Sequence, residues 1–471
     1  MEKLRVGLVG TSQLSFPGDK KAVFSRAVEG MKKHAKKLGF ELIVYDKTIT
    51  TADDARAAVS ELEDKKIDFL LIQHTTYTPG HVAPVLSRIN ARIGLWAVPE
   101  PTKDGVVQLN SFCSINMHAG IIAHYLRNER IKYKWFYGEV DGEMFTSRLT
   151  VTVRALTAIK KMCASKVALV GGIAPGFNDL YLDERQINKL FKGIQYNRLH
   201  EYDEIKAIAM SLPDGEVKKA LSDATDGLDV HDKAKVHLEL SARFYLAYEK
   251  FIKDNGYNAL AVSCWPKFQD DFKYSVCSVV AQLNDSGTPV ACEGDIVSAF
   301  SMLLLKYLTD DVTMLMDLSD IDENDQTVLM WHCGPAAKRF GKKYSLGVNY
   351  HGLPHDDGKN PNCCGIVREM EFDPQHVTLM RLTGENDTLL CMEGDFINGK
   401  KRFLGSSGWL GNLQMNKKDI SVRNLVNTIL VNGFQHHYPI VAGSFSDEIS
   451  ELAAWLDLKF MQEIEYESYL Q

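Results

Sequence analysis

The chain has 471 residues, too many for a single hydrophobic core, so we expect two or three domains. Its composition is 45% hydrophobic and 24% charged, which is close to the average of globular proteins and excludes a disordered chain. The formal net charge is −7 and the Lys and Arg residues are scattered along the chain, so the charge pattern argues against a nucleic-acid partner.

The chain start and the apolar segments argue against export and membrane insertion. The first residues enter a strand-like segment at positions 4–9, which leaves no room for a cleavable secretion signal. The longest apolar stretches, such as residues 298–308, are shorter than the roughly 20 residues that cross a bilayer. We therefore expect a cytoplasmic protein without a membrane role.

The nine cysteines lack the paired spacing of a zinc site, so we expect reduced, buried thiols. Cys363 and Cys364 are adjacent, and a disulfide between neighbouring residues would be strained. A redox role for this pair is therefore disfavoured.

The first two thirds of the chain alternate apolar segments with amphipathic ones, the pattern of repeated β-α-β units. In the first run we expect strands near 4–9, 41–45 and 69–73 and helices near 22–38 and 52–62. A second run follows, with strands near 166–171, 259–263 and 289–292. The pattern predicts an α/β protein with two tandem open parallel, Rossmann-like domains, residues 1–162 and 163–312.

From about residue 313 the segments become short and strand-like, with Gly, Asn and Asp between them. Such segments lie at 327–330, 344–348, 377–382 and 388–392. A closing helix is expected over 447–456, with Ser446 as its N-cap. We therefore expect a third, β-rich and barrel-like domain over residues 313–471.

Both predicted α/β domains begin with glycines. Neither residues 7–10 nor residues 171–176 have the G-x-G-x-x-G spacing that brings a backbone close to a pyrophosphate. Chain turns after buried strands explain these glycines better, so no nucleotide cofactor is expected.

The segment Cys292-Glu293-Gly294-Asp295 lies where an apolar strand ends and a helix over 296–308 begins. Ligands of open α/β folds bind at this edge of the sheet, so Glu293 is a candidate functional residue. A second Glu-Gly-Asp, at 393–395, leads into Asn398-Gly399-Lys400, which favours an ordinary hairpin turn.

Further carboxylate and imidazole candidates follow. Asp317 comes after three apolar residues, and a buried carboxylate needs a partner such as a cation; a helix cap or turn in the acidic stretch 317–325 is the alternative. His332 follows a predicted strand, and His436 and His437 precede the apolar segment 438–442. A single histidine is more often structural, but carboxylates and imidazoles at strand ends suit an open Mn²⁺, Fe²⁺ or Co²⁺ site.

These motifs together resemble the L-arabinose isomerase and L-fucose isomerase superfamily. Residues 292–295 match its first metal-ligand segment, 316–317 the second, 324–332 a stretch that ends in a ligand histidine, and 436–464 the arabinose-isomerase ending. The resemblance implies a fucose isomerase-like fold and a divalent cation held by Glu293, Asp317 and His437, with His332 and His436 as further metal or substrate contacts. Asp317 is the residue type of fucose isomerases whereas His332 follows the arabinose pattern, which leaves the substrate open.

The resemblance also implies an activity, interconversion of an aldose and its ketose through a cis-enediolate, with Glu293 and Asp317 as acid and base. Mn²⁺ is the expected cation, and Co²⁺, Fe²⁺ and Mg²⁺ are alternatives. The substrates of the superfamily include L-fucose, L-arabinose, D-arabinose and, in a branch that the segment around Trp265 resembles, the sulfonated sugar sulfoquinovose.

Assembly is implied in the same way. The superfamily forms homo-oligomers, commonly hexamers, with active sites between subunits. Residues 74–80 and 110–118, with His74, Asn110 and His118, resemble loops that reach a neighbouring subunit's site; ordinary strand-to-helix loops are the alternative.

A non-catalytic cytoplasmic sugar-binding protein is the competing interpretation, because tandem open α/β domains also form sugar sensors. That interpretation predicts neither the β-rich third domain nor the cluster of carboxylates and imidazoles.

Overall fold

A computed structural model describes residues 2–199, 201–272, 274–348, 365–385 and 387–466, without the side chains of Lys267 and Asp270. The chain divides into two compact units, Met1–Lys160 (unit 1) and Lys161–Gln471 (unit 2). The described cysteines are free thiols, as expected, but three of them are not fully buried: Cys113 is exposed, and Cys163 and Cys333 are half-buried. Cys363 and Cys364 lie outside the described residues.

Unit 1 is built on a parallel sheet. Its strands are β1 (Arg5–Thr11), β2 (Glu41–Val44), β3 (Phe69–His74), β4 (Arg92–Ala97) and β5 (Tyr133–Tyr137). Within the described residues they form one sheet of five strands in the order β2-β1-β3-β4-β5. The helices are α1 (Lys20–Leu38), α2 (Ala52–Asp64), α3 (Ala83–Leu86), α4 (Ser111–Gly120) and α5 (Glu143–Cys163). Every residue of β3 is buried, as expected of a central parallel strand that is covered on both faces.

Unit 2 begins with a second parallel sheet. Its strands are β6 (Lys166–Val170), β7 (Gln195–Leu199), β8 (Ala259–Val262) and β9 (Val290–Ala291), in the order β7-β6-β8-β9. The accompanying helices are α6 (Glu184–Leu190), α7 (Asp203–Ser211), α8 (Asp214–Thr225), α9 (Leu238–Asn255), α10 (Lys267–Phe272), α11 (Cys277–Asp285) and α12 (Ile296–Thr309). Both predicted parallel sheets are confirmed.

The remainder of unit 2 is an antiparallel barrel. Its strands are β10 (Thr313–Asp322), β11 (Thr327–His332), β12 (Tyr344–Val348), β13 (Ile366–Glu371), β14 (Gln375–Leu382), β15 (Thr388–Ile397), β16 (Ser406–Met415), β17 (Lys418–Asp419), β18 (His437–Ala442) and β19 (Lys459–Phe460), with helices α13 (Val422–Val431) and α14 (Ser446–Leu456). Strands β16, β11, β10, β18, β14 and β15 pair in that order, and β15 pairs with β16 again, which closes the ring. The barrel-like prediction is therefore confirmed.

The register of the barrel places Asp317 opposite His437. Asp317 on β10 pairs with His437 on the antiparallel strand β18. Directly opposed residues of an antiparallel pair have their side chains on the same face. Asp317 thus lies inside a strand, and the alternative of a helix cap or turn is wrong because the strand continues as far as Asp322.

Helix α12 lies between the two sheets of unit 2. It packs against β8 and β9 on one side and against β10, β14 and β18 of the barrel on the other. Nearly all of its residues are buried, as expected of a helix that is apolar all round. Its N-terminus consequently lies where the two sheets meet, directly after Glu293 and Asp295.

The closing helix α14 is capped differently from the prediction. Ser446 is its first helical residue and Phe445 occupies the N-cap. The Glu393 carboxylate accepts hydrogen bonds from the backbone N–H groups of Phe445 (3.0 Å) and Ser446 (3.1 Å), and so takes the role of a capping side chain. Glu393 itself lies within β15 of the β15–β16 hairpin, ahead of the turn.

Among the described residues no helix combines the length and the apolar character that a membrane crossing requires.

Removal of the Phe300 side chain from α12 should destabilise unit 2 strongly. Phe300 is 0% exposed, whereas Phe403 is 50% exposed. We expect Phe300→Ala to lower the free energy of unfolding by about 3–5 kcal/mol, because the cavity lies between two packed sheets. Phe403→Ala, the same chemical change at an exposed position, should cost less than about 0.5 kcal/mol. Urea unfolding followed by circular dichroism measures both, and equal losses would contradict the central packing of α12.

Candidate active site

Glu293 occupies a turn between β9 and α12 with an unusual backbone conformation. Its φ is +61°, in the left-handed region that non-glycine residues rarely adopt, and Gly294 follows with φ +73°. A Cβ at Gly294 would collide with the carbonyl oxygen of Gly172, so the turn needs glycine there. Such strain at a non-glycine residue is typical of functional sites, since the surrounding structure must hold it in place.

Three predicted ligands meet at this turn. The Nε2 atom of His437 lies 3.3 Å from Oε2 of Glu293 and 3.5 Å from Oδ1 of Asp317. The side chain of His437 is 1% exposed, that of Glu293 15% and that of Asp317 25%. The three side chains therefore present nitrogen and oxygen atoms to one small, mostly buried volume.

Several polar atoms in this volume lack partners. Oδ1 of Asp317 and Nε2 of His332, His436 and His437 are buried and have no hydrogen-bond partner among the described residues. A buried polar atom without a partner is costly, so convergent ones indicate a missing ligand. The potential ligand atoms form two overlapping groups, Glu293 with His436 and His437, and Asp317 with His332 and His437; within each group all lie within 4.8 Å of one another. This donor set could hold a metal ion.

The two buried imidazoles differ in which nitrogen is available. Nδ1 of His437 faces Oδ2 of Asp295 at 2.9 Å, so it carries the proton and leaves the lone pair on Nε2. Nδ1 of His332 instead accepts a hydrogen bond from the backbone N–H of Cys333 at 2.9 Å. The neutral His332 ring then carries its proton on Nε2, which is suited to donate a hydrogen bond.

His436 borders the site next to an aromatic pair. Its Nδ1 lies 2.7 Å from Oδ2 of Asp179, and its Nε2 lies 3.6 Å from Oε2 of Glu293. The ring of Phe177 lies 5.4 Å from that of His436 and 5.3 Å from that of Trp265, measured between centroids. Trp265 is thus linked to the site through Phe177, a residue that the sequence did not single out.

Asp295 and Arg381 are further site residues that the sequence analysis did not select. Both side chains are 0% exposed and form a salt bridge with Nη1 2.5 Å from Oδ2. Asp295 directly follows the selected Glu293-Gly294 and precedes α12, so its N-cap position was visible in the sequence. Arg381 was visible only as a charged residue in an apolar strand. Asp179 has no comparable signal.

Opposed effects set the pKa values at the site. Burial alone would raise the pKa of Glu293, but the nearby imidazoles of His436 and His437 outweigh it, and the pKa lies well below its usual value. Burial alone would lower the pKa of His437, but Asp295, Glu293 and Asp317 outweigh it and raise the pKa to about 10. A positive charge is therefore favoured at this point, and a bound cation would take the place of the His437 proton.

The remaining sequence candidates form a separate cluster in unit 1. His74 ends β3 and is fully buried, with Nδ1 2.8 Å from the hydroxyl of Ser114. The rings of His74 and His118 lie 4.4 Å apart, edge to face, and Nε2 of His118 contacts the carbonyl of Thr78 at 3.1 Å. Asn110 precedes α4 with φ +52°. His74 and Asn110 thus lie at the carboxyl edge of the unit 1 sheet, and His74 and His118 form a buried polar cluster there.

Known proteins similar to this chain agree with the motifs. The sulfoquinovose isomerase of Priestia aryabhattai is 26% identical over 427 residues, covering 89% of this chain and 90% of the relative. That of Clostridium sp. (strain MSTE9) is 28% identical over 400 residues, covering 83% and 85%. This chain resembles sulfoquinovose isomerases. The resemblance predicted from the motifs is thereby confirmed for that branch, and an enzyme of the isomerase class is indicated.

Other comparisons add nothing to this. No protein-family model matches the chain. Among solved structures, a periplasmic solute-binding protein of Actinobacillus succinogenes with bound D-allose covers 65% of this chain and 92% of its own at 13% identity, with a TM-score of 0.18. A score this low supports no inference about fold or function.

The histidines of unit 1 should make the protein sensitive to acid. Burial lowers the pKa of His118 to about 4, more than its hydrogen bonds to the Thr78 and Pro79 carbonyls raise it. The folded state then binds fewer protons than the unfolded state between pH about 6.5 and about 4, so stability falls as pH falls through that window. We expect His118→Gln, which keeps a donor for Thr78, to lose less stability than the wild type between about pH 7 and about pH 5.

Urea midpoints at the two pH values measure this difference. The exposed His124 supplies the control, because His124→Gln should leave the pH dependence of the wild type unchanged. Identical pH dependence in all three proteins would show that folding does not lower the pKa of His118.

Proposed function

We propose that this protein is an aldose–ketose isomerase that converts sulfoquinovose to sulfofructose with the help of a divalent cation. The observation that carries the proposal is the convergence of Glu293, Asp317 and His437 on one buried volume, in a chain similar to sulfoquinovose isomerases along most of its length. The proposal includes a fucose isomerase-like architecture with domains at residues 1–162, 163–312 and 313–471.

Glu293, Asp317 and His437 would hold the cation, with Mn²⁺ first and Co²⁺, Fe²⁺ and Mg²⁺ as alternatives. Buried atoms without partners, and an imidazole whose Nε2 lone pair is free, support this assignment. When bound, the cation supplies a Lewis acid that stabilises the negative charge developing on the two reacting sugar oxygens.

The chain's own residues would move the protons. A carboxylate of the Glu293–Asp317 pair takes the proton from C2 of the open-chain aldose, and the cis-enediolate forms as the C1–O1 double bond opens. The same carboxylic acid returns that proton to C1, while the hydroxyl proton passes from O2 to O1. The C2 carbonyl of the ketose results. A carboxylate suits this task because it can accept the proton from C2 and donate it to the adjacent C1 from one position.

Other residues would bind and orient the sugar. His332, whose Nε2 carries a proton in the neutral ring, is better suited to donate a hydrogen bond to a sugar oxygen than to ligate a metal. The aromatic rings of Trp265 and Phe177 lie beside His436. The apolar face of a sugar ring can pack against them.

Assembly belongs to the same proposal. We carry over from the resemblance a homo-oligomer, with a hexamer favoured, in which the segments 74–80 and 110–118, with His74, Asn110 and His118, reach the active site of a neighbouring subunit. The support within this chain is that these residues cluster at the carboxyl edge of a parallel sheet, where ligands of such sheets bind.

Replacement of Glu293 by Gln should abolish isomerase activity without unfolding the protein. Gln keeps the shape of the side chain but neither ligates a cation as a carboxylate does nor accepts a proton, so we expect turnover to fall by at least about 10³-fold. Steady-state ketose formation and the circular dichroism spectrum measure the two effects. Glu371→Gln, at an exposed position, is the matched control and should retain full activity. Near-normal turnover of Glu293→Gln would remove Glu293 from the mechanism.

Stripping the metal should stop the reaction, and the choice of sugar should identify the substrate. We expect protein treated with a chelator to be inactive and to recover with Mn²⁺. Nuclear magnetic resonance in D₂O follows sulfoquinovose, L-fucose, L-arabinose and D-arabinose in parallel, and ketose should form from sulfoquinovose.

The alternative outcomes separate the parts of the proposal. Turnover of L-fucose or an arabinose alone would refute the substrate and keep the reaction. Binding of a sugar without conversion, with Mn²⁺ present, would favour the non-catalytic sugar-binding protein.

A further inference from the structure

We propose that Asp295 and Arg381 are positioning residues that fix the imidazole of His437 for metal binding. The inference deepens the proposed function and rests on it, because there His437 ligates the cation. Neither residue faces the volume shared by Glu293, Asp317 and His437. Both lie behind it and act through His437.

Asp295 holds the imidazole by its rear nitrogen. Its Oδ2 lies 2.9 Å from Nδ1 of His437, and its side chain is 0% exposed. Because Nδ1–H is donated to this carboxylate, the lone pair of the neutral ring is on Nε2, which faces Glu293 and Asp317. A ring turned over about Cβ–Cγ would lose the hydrogen bond and present a C–H group to the site. A carboxylate behind a histidine ligand selects ring orientation and tautomer in this way.

Arg381 holds Asp295 in turn. Its guanidinium contacts both carboxylate oxygens, with Nη1 2.5 Å from Oδ2 and Nη2 3.3 Å from Oδ1. Nη1 also donates to the backbone carbonyl of His437 at 3.3 Å. One guanidinium therefore binds the main chain of His437 and the carboxylate that orients its side chain.

The pair has more contacts than a structural role alone would need. Asp295 caps α12 by accepting from the backbone N–H of Ser298 at 2.9 Å, and Asn would cap as well. A fully buried ion pair is seldom the most stable solution, since desolvation offsets much of the attraction. Here Nε of Arg381 is buried without a partner among the described residues, which adds a cost. A role in orienting His437 would explain why the protein has a buried Asp295–Arg381 pair that stability alone does not favour.

A second Arg–Asp pair, less deeply buried, provides a control. Arg368 and Asp285, also in unit 2, form a salt bridge of 2.7 Å, and their side chains are 3% and 20% exposed. The Arg368 guanidinium donates to the backbone carbonyls of Ala281 and Ala336 and to none of the candidate ligands. Asp285→Asn should therefore show the loss of stability that comes from breaking a mostly buried Arg–Asp pair, without touching the site.

The experiment compares Asp295→Asn, Arg381→Lys and Asp285→Asn in the full chain. Electron paramagnetic resonance of free Mn²⁺ gives the dissociation constant of each protein, and urea unfolding gives its stability. We expect Asp295→Asn to bind Mn²⁺ about 10–100-fold more weakly than the wild type, the range observed when a residue behind a metal ligand is removed. Arg381→Lys should weaken binding less, because it retains the charge but not the paired contacts. Asp285→Asn should bind Mn²⁺ like the wild type despite its lower stability.

The outcomes separate this inference from the function on which it rests. If the wild type binds Mn²⁺ and Asp295→Asn binds it as tightly as Asp285→Asn does, the positioning role is overturned and the metal site stands. A wild type that binds no Mn²⁺ overturns both. Should Asp295→Asn fail to fold, Arg381→Lys decides the matter: unchanged Mn²⁺ affinity refutes the inference, and a loss that exceeds that of Asp285→Asn supports it.

Discussion

The structure of the site depends on one electrostatic imbalance. Three carboxylates, those of Glu293, Asp295 and Asp317, surround His437 where little water can reach them. Arg381 neutralises one of them through a salt bridge, so two negative charges remain if the imidazole is neutral. Buried charge without compensation is very costly, and a group of charge +2 would balance it. The same carboxylates raise the pKa of His437, so they favour a positive charge at this point.

The fold brings these charges together from distant parts of the chain. Glu293 and Asp295 come from the turn after the parallel strand β9, Asp317 from the first barrel strand, and His437 from a strand more than a hundred residues later. The antiparallel register of β10 and β18 sets Asp317 beside His437, and the N-terminus of α12 brings the turn against both. The left-handed conformation of Glu293 is tolerated because Gly294 allows the turn to pass close to Gly172.

Much of the architecture was predictable because it is local. Apolar runs and their spacing indicated the parallel strands, and the short segments after residue 313 indicated the barrel. Glu293, Asp317, His332, His436 and His437 were selected by motif, and the structure brings all five together. Trp265 was selected too, and its ring contacts that of Phe177, which in turn contacts His436.

The missed features are long-range. Nothing near Asp179 in the sequence indicates His436, 257 residues away. The same holds for Glu393 on β15, which caps α14, and for Arg381, which meets Asp295 only when the barrel and α12 pack. Each of these contacts depends on how distant elements pack, which single-sequence patterns do not determine. The sequence also did not indicate that the side chains of His74 and His118 are buried, or that the hydroxyl of Ser114 contacts the ring of His74.

The placement of α12 has a consequence for how the protein folds. Because this helix fills the space between a parallel sheet and a barrel, neither could be detached without exposing an apolar surface that the other now covers. Segments 163–312 and 313–471 are thus distinct in pattern but interdependent in folding, and we regard them as one cooperative unit. The barrel strands that carry Asp317 and His437 pack against α12, so a change that loosens this helix would disturb the site together with the core of unit 2.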